Sequence, residues 1–550
     1  MHIKLMNLYL MNDLIKNEFF YIDSNNLKEV KDALYGYTIS LTDNVLKLAP
    51  SYGDNILSGQ YIKITKDDDE QIFIETDDLS SYYIYYYKNE SFWALSNSFF
   101  MLLEKLKENN IELTFDKIAI DTLMQSSMRT YNMYDTFVAE VKIVPVFYNI
   151  KLTRHTMEFV YKYYDIDTID IDSPEGMSTI DNWIAKWQNI IYNLVSSGVW
   201  TQIDLSGGFD SRTIFSLVYS SGADLSADNV DIFSKNQGNK ALLDHWANDF
   251  EIATEITEML GLKVTNKKSP IKQEYFTGEQ QYEILKNYYM GVHKEGYYTL
   301  KHYEKPTIHF GGINGELVRG DNTYSDDFIC KTYLATNPIR NSIEVSMNYI
   351  DQMNRLRKTF ENDFVAAQVS NIATLCKSHF GMTIYSKLLS NIYSLSPFND
   401  IDLLKIHIPD GYDKKMIYAM IIERTTPILL NIMYTNNRTF GNGVIEKVKE
   451  ISAKYPLPEK NIQHYEVVIE NTNDFVHEEK DNKTGNEVLY DKFVEGKQTF
   501  IETMSKLFDR NYAIQLYDYA NKYWLDKNSY FGNKWINSCV AVIETANAIK

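Results

Sequence analysis

Hydrophobic and polar positions alternate along most of the first 165 residues. GQYIKI (Gly59–Ile64), QIFIET (Gln71–Thr76), SYYIYYY (Ser81–Tyr87) and SFWALS (Ser91–Ser96) are short, rich in β-branched and aromatic side chains, and separated by Asp, Asn and Gly. That pattern predicts strands. Two stretches, Asn97–Glu108 and Phe115–Gln125, place apolar residues three and four apart instead, and predict helices. The strand pattern returns in FVAEVKIVPVFYNIKLTRHTMEFVYKYY. Runs of strands with segregated helices predict a layered α+β domain over residues 1–165.

The segment DIDTIDIDSPEGMS (Asp165–Ser178) is acidic and carries Pro174 and Gly176, which predicts a linker over residues 166–178. A long amphipathic helix, Ile180–Val195, then leads into a strand, a helix and a second strand. This alternation marks a parallel sheet covered by helices. Helical pattern dominates from about Ser342 to the end, so residues 179–550 read as a second domain, mostly helical after 342. No internal repeat is found.

A chain of 550 residues agrees with two or more domains. Its net charge of −19 argues against a nucleic-acid backbone or an anionic membrane as the main partner. Three cysteines, Cys330, Cys376 and Cys539, lie far apart with no CxxC pair and no zinc spacing, which fits a reducing compartment. The start shows no signal-peptide pattern. No apolar run approaches the roughly 20 residues that span a bilayer. A cytoplasmic protein without membrane insertion is expected.

The candidate chemistry centres on IDLSGGFDSR (Ile203–Arg212). TQIDL (Thr201–Leu205) reads as a buried parallel strand and RTIFSLVYSSG (Arg212–Gly222) as a helix ending at Gly222. SGGFDS therefore lies where a strand ends and a helix begins. Amide groups and the helix dipole favour an anion there. Gly207 and Gly208 let the backbone approach it without a Cβ, and Ser206 and Ser211 add hydroxyl donors. Asp210 fits beside an anion if a divalent cation lies between them, since carboxylate and phosphate oxygens commonly share magnesium. Arg212, disfavoured by the dipole in the first turn, is expected to face an anion as well. A bare Gly-Gly turn with Ser or Asp reads first as a capped helix start. The whole string in its strand–loop–helix setting favours a pyrophosphate with magnesium, and the Lys-Ser/Thr pair of a Walker loop is missing. Downstream, a strand ending in Gly311-Gly312 is followed by Gly315 and Glu316, which brings a second carboxylate to the same sheet edge.

SGGFDS resembles the pyrophosphate loop of the asparagine-synthetase-like amide ligases, which use ATP to adenylylate a carboxylate and release pyrophosphate. The likeness continues along the chain. NVDIFS (Asn229–Ser234) resembles the next strand, whose end in that family meets adenine through backbone groups. DFEIATEITEMLGLKV (Asp249–Val264) resembles the helix that follows, and IHFGGINGELVRG (Ile308–Gly320) the second glycine-rich loop. LSPFNDIDLLKI (Leu395–Ile406) resembles a Pro-Phe-Leu-Asp segment with Asn399 in place of leucine. NNRTFGNGV (Asn436–Val444) resembles a late stretch that carries the family's catalytic lysine. The resemblance implies an α/β parallel-sheet ligase domain, adenine nucleotide α-hydrolase-like, with a helical C-terminal part. It also implies that the α+β layered domain before it is a degenerate glutaminase-like (Ntn) domain. It further implies ATP and Mg2+ as cofactors, with Asp210 and Glu316 as metal ligands. Leu205, Ser206, Gly207, Gly208, Ser211, Arg212, Phe233, Ser234 and Gly312 would bind the nucleotide. The substrates would be a small-molecule carboxylate and an amine, and a homodimer is left open.

Two departures shape the expectation. Amidotransferases of this family expose a cysteine after Met1; here residue 2 is His2 and no cysteine precedes Cys330. Glutamine is therefore not expected as the nitrogen source in cis. The family's late lysine aligns with Asn437, with Arg438 beside it. Arginine stabilises charge on a phosphate or oxyanion but is a poor proton carrier, and Lys387 and Arg319 are alternative candidates. The chain is expected to be an ATP-dependent, AMP- and PPi-forming amide ligase without its own glutaminase activity, in surface-glycan or specialised-metabolite biosynthesis. The alternatives are activation of an amide or carbonyl to give an amidine, or an inactive nucleotide-binding relative.

Overall fold

The computed structural model describes residues 19–51, 53–125, 134–162, 168–235, 243–287, 290, 301–318, 326–332, 334, 337, 339–340, 342–358, 388–409, 411–472, 483–525 and 532–550. Strands come first: β1 (Tyr21–Asp23), β2 (Ala33–Thr42), β3 (Val45–Ala49), β4 (Ile56–Lys66), β5 (Ile72–Thr76), β6 (Tyr85–Lys88) and β7 (Trp93–Ser96). Helices α1 (Phe99–Glu108) and α2 (Lys117–Gln125) follow, then β8 (Val141–Ile143), β9 (Tyr148–Leu152) and β10 (Met157–Tyr161). GQYIKI lies within β4, and the other three strings overlap β5, β6 and β7, although Ser81–Ile84 lies outside any strand; both expected helices form. Ser98 starts α1 by accepting the Met101 N–H at 3.3 Å.

The strands make two antiparallel sheets. Alternation sends Ile62, Ile64, Ile72 and Ile74 to one face of the larger sheet, where each is at most 2 % exposed. They share one core with Tyr85 and Leu95 of the smaller sheet and with Leu102 and Leu103 of α1.

The second half begins earlier than expected. β11 (Ile169–Asp170) lies inside the predicted linker, and α3 (Pro174–Ser196) starts there too. Ser173 caps α3 by accepting the Gly176 N–H at 2.9 Å, and Pro174 occupies the first turn. A proline there sacrifices only an amide that has no helical partner. What read as linker composition is a helix start. β12 (Trp200–Asp204), α4 (Phe209–Ser221), β13 (Val230–Phe233), α5 (Leu243–Met259), β14 (Thr307–Phe310), α6 (Gly315–Val318) and β15 (Ile392–Leu395) then build a four-stranded sheet in the order β13-β12-β14-β15. All three pairings are parallel. One face is apolar: Ile203, Ile308, Phe310 and Tyr393 are buried with Trp183 and Trp187 of α3.

Among the described residues beyond 342 the chain is largely helical but not wholly so. β15 completes the parallel sheet, and β16 (Ile406–His407) pairs with β11. After α7 (Met416–Thr425) and α8 (Val444–Lys454), β17 (Glu466–Ile469) joins the edge of the first half's larger sheet beside β3. The last helices, α9 (Gly485–Glu495), α10 (Lys497–Leu507), α11 (Arg510–Leu525) and α12 (Gly532–Ile549), contribute Phe493, Phe500, Leu516 and Ile536 to the core of the layered sheets. A single unit from 179 to 550 therefore does not describe the packing: the last four helices bury their apolar faces on the N-terminal half. The molecule is a mixed α/β protein with a parallel sheet and a helical C-terminal part. Among the described residues no helix is long and apolar enough to cross a membrane.

Candidate functional site

The parallel sheet positions the site. The chain leaves β12 toward β13 on one side and leaves β14 toward β15 on the other. The loops after these neighbouring strands part there, and a crevice opens outside the carboxyl ends, where α/β sheets bind ligands. The two glycine-rich loops are the ones that leave β12 and β14. Between them lies a cleft of about 440 Å³ lined by Asp204, Leu205, Ser206, Gly208, Asp210, Ser211, Phe233, Lys235, Asp249, Gly312 and Ile313.

The first loop is held by its own hydroxyls and by two distant residues. The Ser206 N–H donates to Ser211 Oγ at 3.0 Å, the two serine hydroxyls lie 2.8 Å apart, and the Gly208 N–H donates to Ser206 Oγ at 3.2 Å. The Gly207 N–H donates to Asp249 Oδ1 at 3.1 Å, while its carbonyl accepts the Thr435 N–H at 3.0 Å. Thr435 Oγ1 closes the ring by donating to the same Asp249 oxygen. A Cβ at position 207 would stand 2.0 Å from Thr435 Oγ1 and 2.9 Å from Ile252 Cδ1, so only glycine fits. Helix α4 then begins on Gly208, which has no side chain to cap it, and ends on Gly222 at φ 84°, a left-handed turn that suits glycine.

The second loop touches the first. A Cβ on Gly312 would stand 2.7 Å from the Ser211 nitrogen, and one on Gly315 would stand 2.3 Å from Asp210 Oδ1. The Asp210 carboxylate thus lies against the Cα of Gly315, and the Tyr418 hydroxyl donates to it. Glu316 is the next residue along α6; its side chain lies outside the described set. Behind this loop, Ser396 Oγ donates to the Ile313 carbonyl at 2.5 Å, and Asn314 Nδ2 donates to Asn399 Oδ1 at 2.5 Å. Asn399, which stands where the resembling segment has leucine, is thus a polar tie to the loop. Beneath it, the Trp183 indole donates to the Pro397 carbonyl at 3.2 Å.

Several expectations need correction. Arg212 does not face an anion. Its residue is 0 % exposed, Nη1 and Nη2 donate to the Ile432 and Met433 carbonyls at 2.7 and 2.6 Å, and its guanidinium lies 3.5 Å from the centre of the Tyr434 ring. Burial lowers the Arg212 pKa and pushes the Tyr434 phenol up to about 12. Arg212 ties α4 to the turn that carries Thr435. The backbone groups expected to read adenine are already paired: the Phe233 carbonyl accepts the Leu205 N–H, and Ser234 exchanges two 2.9 Å bonds with the Asn266 side chain. Gly207 and Ser234 are not part of the cleft wall, and Arg438 is not either. Arg438 is exposed, donates from Nε to the Thr435 carbonyl at 2.9 Å, and lies 5.7 Å from the Phe209 ring centre. The late stretch does reach the loop, but through Thr435. Lys387, Arg319, Cys376 and His2 lie outside the described residues.

Sequence reasoning missed Asp204, Lys235 and Asp249 as cleft residues. Asp204 is the last residue of β12, where it reads as part of a buried strand; its partner His309 Nε2, 2.6 Å away, is 105 residues distant in sequence. The charged side chains lining the cleft are Asp204, Asp210, Asp249 and Lys235. Among the described residues, no group of three or more His, Cys, Asp or Glu side chains could hold a metal by itself. A divalent ion at Asp210 would therefore complete its shell from phosphate oxygens and water, which is how magnesium is usually held. In comparison with known proteins, no family model matches the chain and no curated protein matches it.

Proposed function

We propose that the protein is an ATP-dependent ligase that adenylylates a carboxylate, releases pyrophosphate and passes the acyl group to an amine. One observation carries this reading: two glycine-rich loops meet at the crevice of a parallel sheet, with Gly312 against Ser211 and Gly315 against Asp210. Such a site suits a polyphosphate, because helix α4 presents its amino end without a side-chain cap. The Ser206 and Ser211 hydroxyls, 2.8 Å apart at the mouth of the loop, would donate to phosphate oxygens. Asp210 and Glu316 would hold Mg2+, which would neutralise the departing pyrophosphate.

The protein's own part is positioning. The Asp249–Thr435 ring fixes the Gly207 peptide, Tyr418 orients Asp210, and the Asn314–Asn399 bond holds the second loop against the first. Placing a carboxylate oxygen in line with the α-phosphorus is an entropic contribution that such rigid loops supply. The layered first half carries no assigned nucleophile and serves as scaffold, with Tyr37 donating to the Ser394 carbonyl on β15 at 2.8 Å.

The test is exchange of labelled pyrophosphate into ATP in the presence of candidate carboxylic acids. Asp210→Ala is expected to abolish exchange while the circular-dichroism spectrum and melting temperature stay near wild type. Exchange at the wild-type rate in that variant would remove the proposed metal role. Glutamate release from added glutamine would overturn the absence of a glutaminase step.

A further inference from the structure

One face of the parallel sheet carries a polar row. Register places Gln202 beside His309 and His309 beside Ser394 on adjacent strands. Parallel sheets ordinarily carry apolar side chains on both faces, and buried polar groups are unfavourable unless bonded. Here they are bonded in a chain that ends at the cleft. His309 Nε2 lies 2.6 Å from Asp204 Oδ2, His309 Nδ1 lies 3.4 Å from Ser394 Oγ, and Gln202 Nε2 donates to Asp204 Oδ1 at 2.9 Å. The tautomer that satisfies both ring nitrogens donates from Nε2 to Asp204 and accepts from Ser394 at Nδ1. The Asp204 side chain is 36 % exposed against 10 % for His309, so Asp204 is the end of the chain that opens on the cleft.

All three cleft acids have partners, and they differ in kind. Asp249 holds Gly207 and Thr435, and Asp210 meets Tyr418 and Gly315. Asp204 is the acid backed by an imidazole. We propose that Asp204 is the general base of the amide-forming step, that His309 is its positioning residue, and that the nucleophile is a primary amine which enters as an ammonium ion. This rests on the ligase reading. The ammonium gives one proton to the Asp204 carboxylate, and the nitrogen lone pair forms the N–C bond to the acyl-adenylate carbonyl carbon. The C–O bond to phosphate breaks, its electron pair leaves with AMP, and the second nitrogen proton passes to solvent. Nothing is oxidised or reduced. Arg438, outside the cleft, is too strong a base to cycle a proton.

The test uses the full chain with Mg2+ and ATP and a deproteinised small-molecule extract as the source of acid and amine. AMP release is followed with and without added hydroxylamine, a nucleophile that is largely unprotonated at neutral pH and needs no base. Asp204→Asn and His309→Gln are expected to cut release driven by the extract's own amines about 100-fold, within the range of general-base effects. Hydroxylamine is expected to restore release to within several-fold of wild type, and a fluorescent ATP analogue is expected to bind all three proteins alike. Equal loss with both nucleophiles, or weakened nucleotide binding in Asp204→Asn, would assign Asp204 to the nucleotide half and overturn the proposal. A wild-type protein that releases no AMP under either condition removes the ligase reading and the base with it.

Discussion

Gly207→Ala is the sharpest probe of how the first loop is built. The added methyl would stand 2.0 Å from Thr435 Oγ1, 2.9 Å from Ile252 Cδ1 and 3.0 Å from Asp249 Oδ1. These atoms cannot all withdraw, because Thr435 and Asp249 are bonded to each other and to the two sides of the Gly207 peptide. Two backbone hydrogen bonds are expected to break, at about 1 kcal/mol each. Overpacking adds about 1–3 kcal/mol, for a total of about 3–5 kcal/mol. Gly208→Ala is the control: its methyl meets only Ser206 Oγ, at 3.2 Å, and a rotatable hydroxyl can move aside. That change is expected to cost less than about 1 kcal/mol. Thermal unfolding followed by tryptophan fluorescence reads the difference, since Trp183, Trp187 and Trp200 are buried in the parallel-sheet half. Thr435→Ala added to Gly207→Ala removes the closest clash and should recover part of the loss, a coupling that a double-mutant cycle isolates. Equal melting temperatures for Gly207→Ala and Gly208→Ala would refute the ring. So would purely additive effects in the cycle.

Two further predictions concern buried cations. Arg212→Lys keeps the charge but loses the fork, leaving carbonyls at Ile432 and Met433 short of a donor. It should destabilise by about 2–4 kcal/mol in denaturant titration, and a midpoint equal to wild type would show that the turn does not depend on it. Burial lowers Lys162 from the ordinary 10.5 to about 8. Between those values the unfolded chain binds a proton that the folded chain has released. Stability should therefore rise as pH climbs from about 8 toward 10.5. Lys162→Met should flatten that rise, and identical slopes in the two proteins would sink the assignment.

Local pattern carried the sequence reading where local forces decide structure. The strand–SGG–helix unit, the Gly222 stop and the alternating strands of the first half were legible because turn chemistry and side-chain period act over a few residues. The predicted linker failed for a local reason as well: Ser173-Pro174 is a helix start, although acidic residues around it imitate a spacer. Leu205, Ser206, Gly208, Asp210, Ser211, Phe233 and Gly312 were expected at the nucleotide site and do line one cleft.

Long-range partners decided the rest. Arg212 looks like an anion ligand in the string SGGFDSR, but its charge is used on carbonyls 220 and 221 residues away. The need for glycine at 207 comes from Thr435 and Asp249, and no spacing rule links those three positions. Asp204 becomes a cleft carboxylate with a histidine behind it only when β14 docks beside β12. The sequence alone settled many of the strands, helices and tight turns, among them the strand–SGG–helix unit, because those depend on neighbours along the chain. Which charges are spent on structure and which face the cleft was decided by tertiary packing, because desolvation and hydrogen bonding depend on neighbours in space.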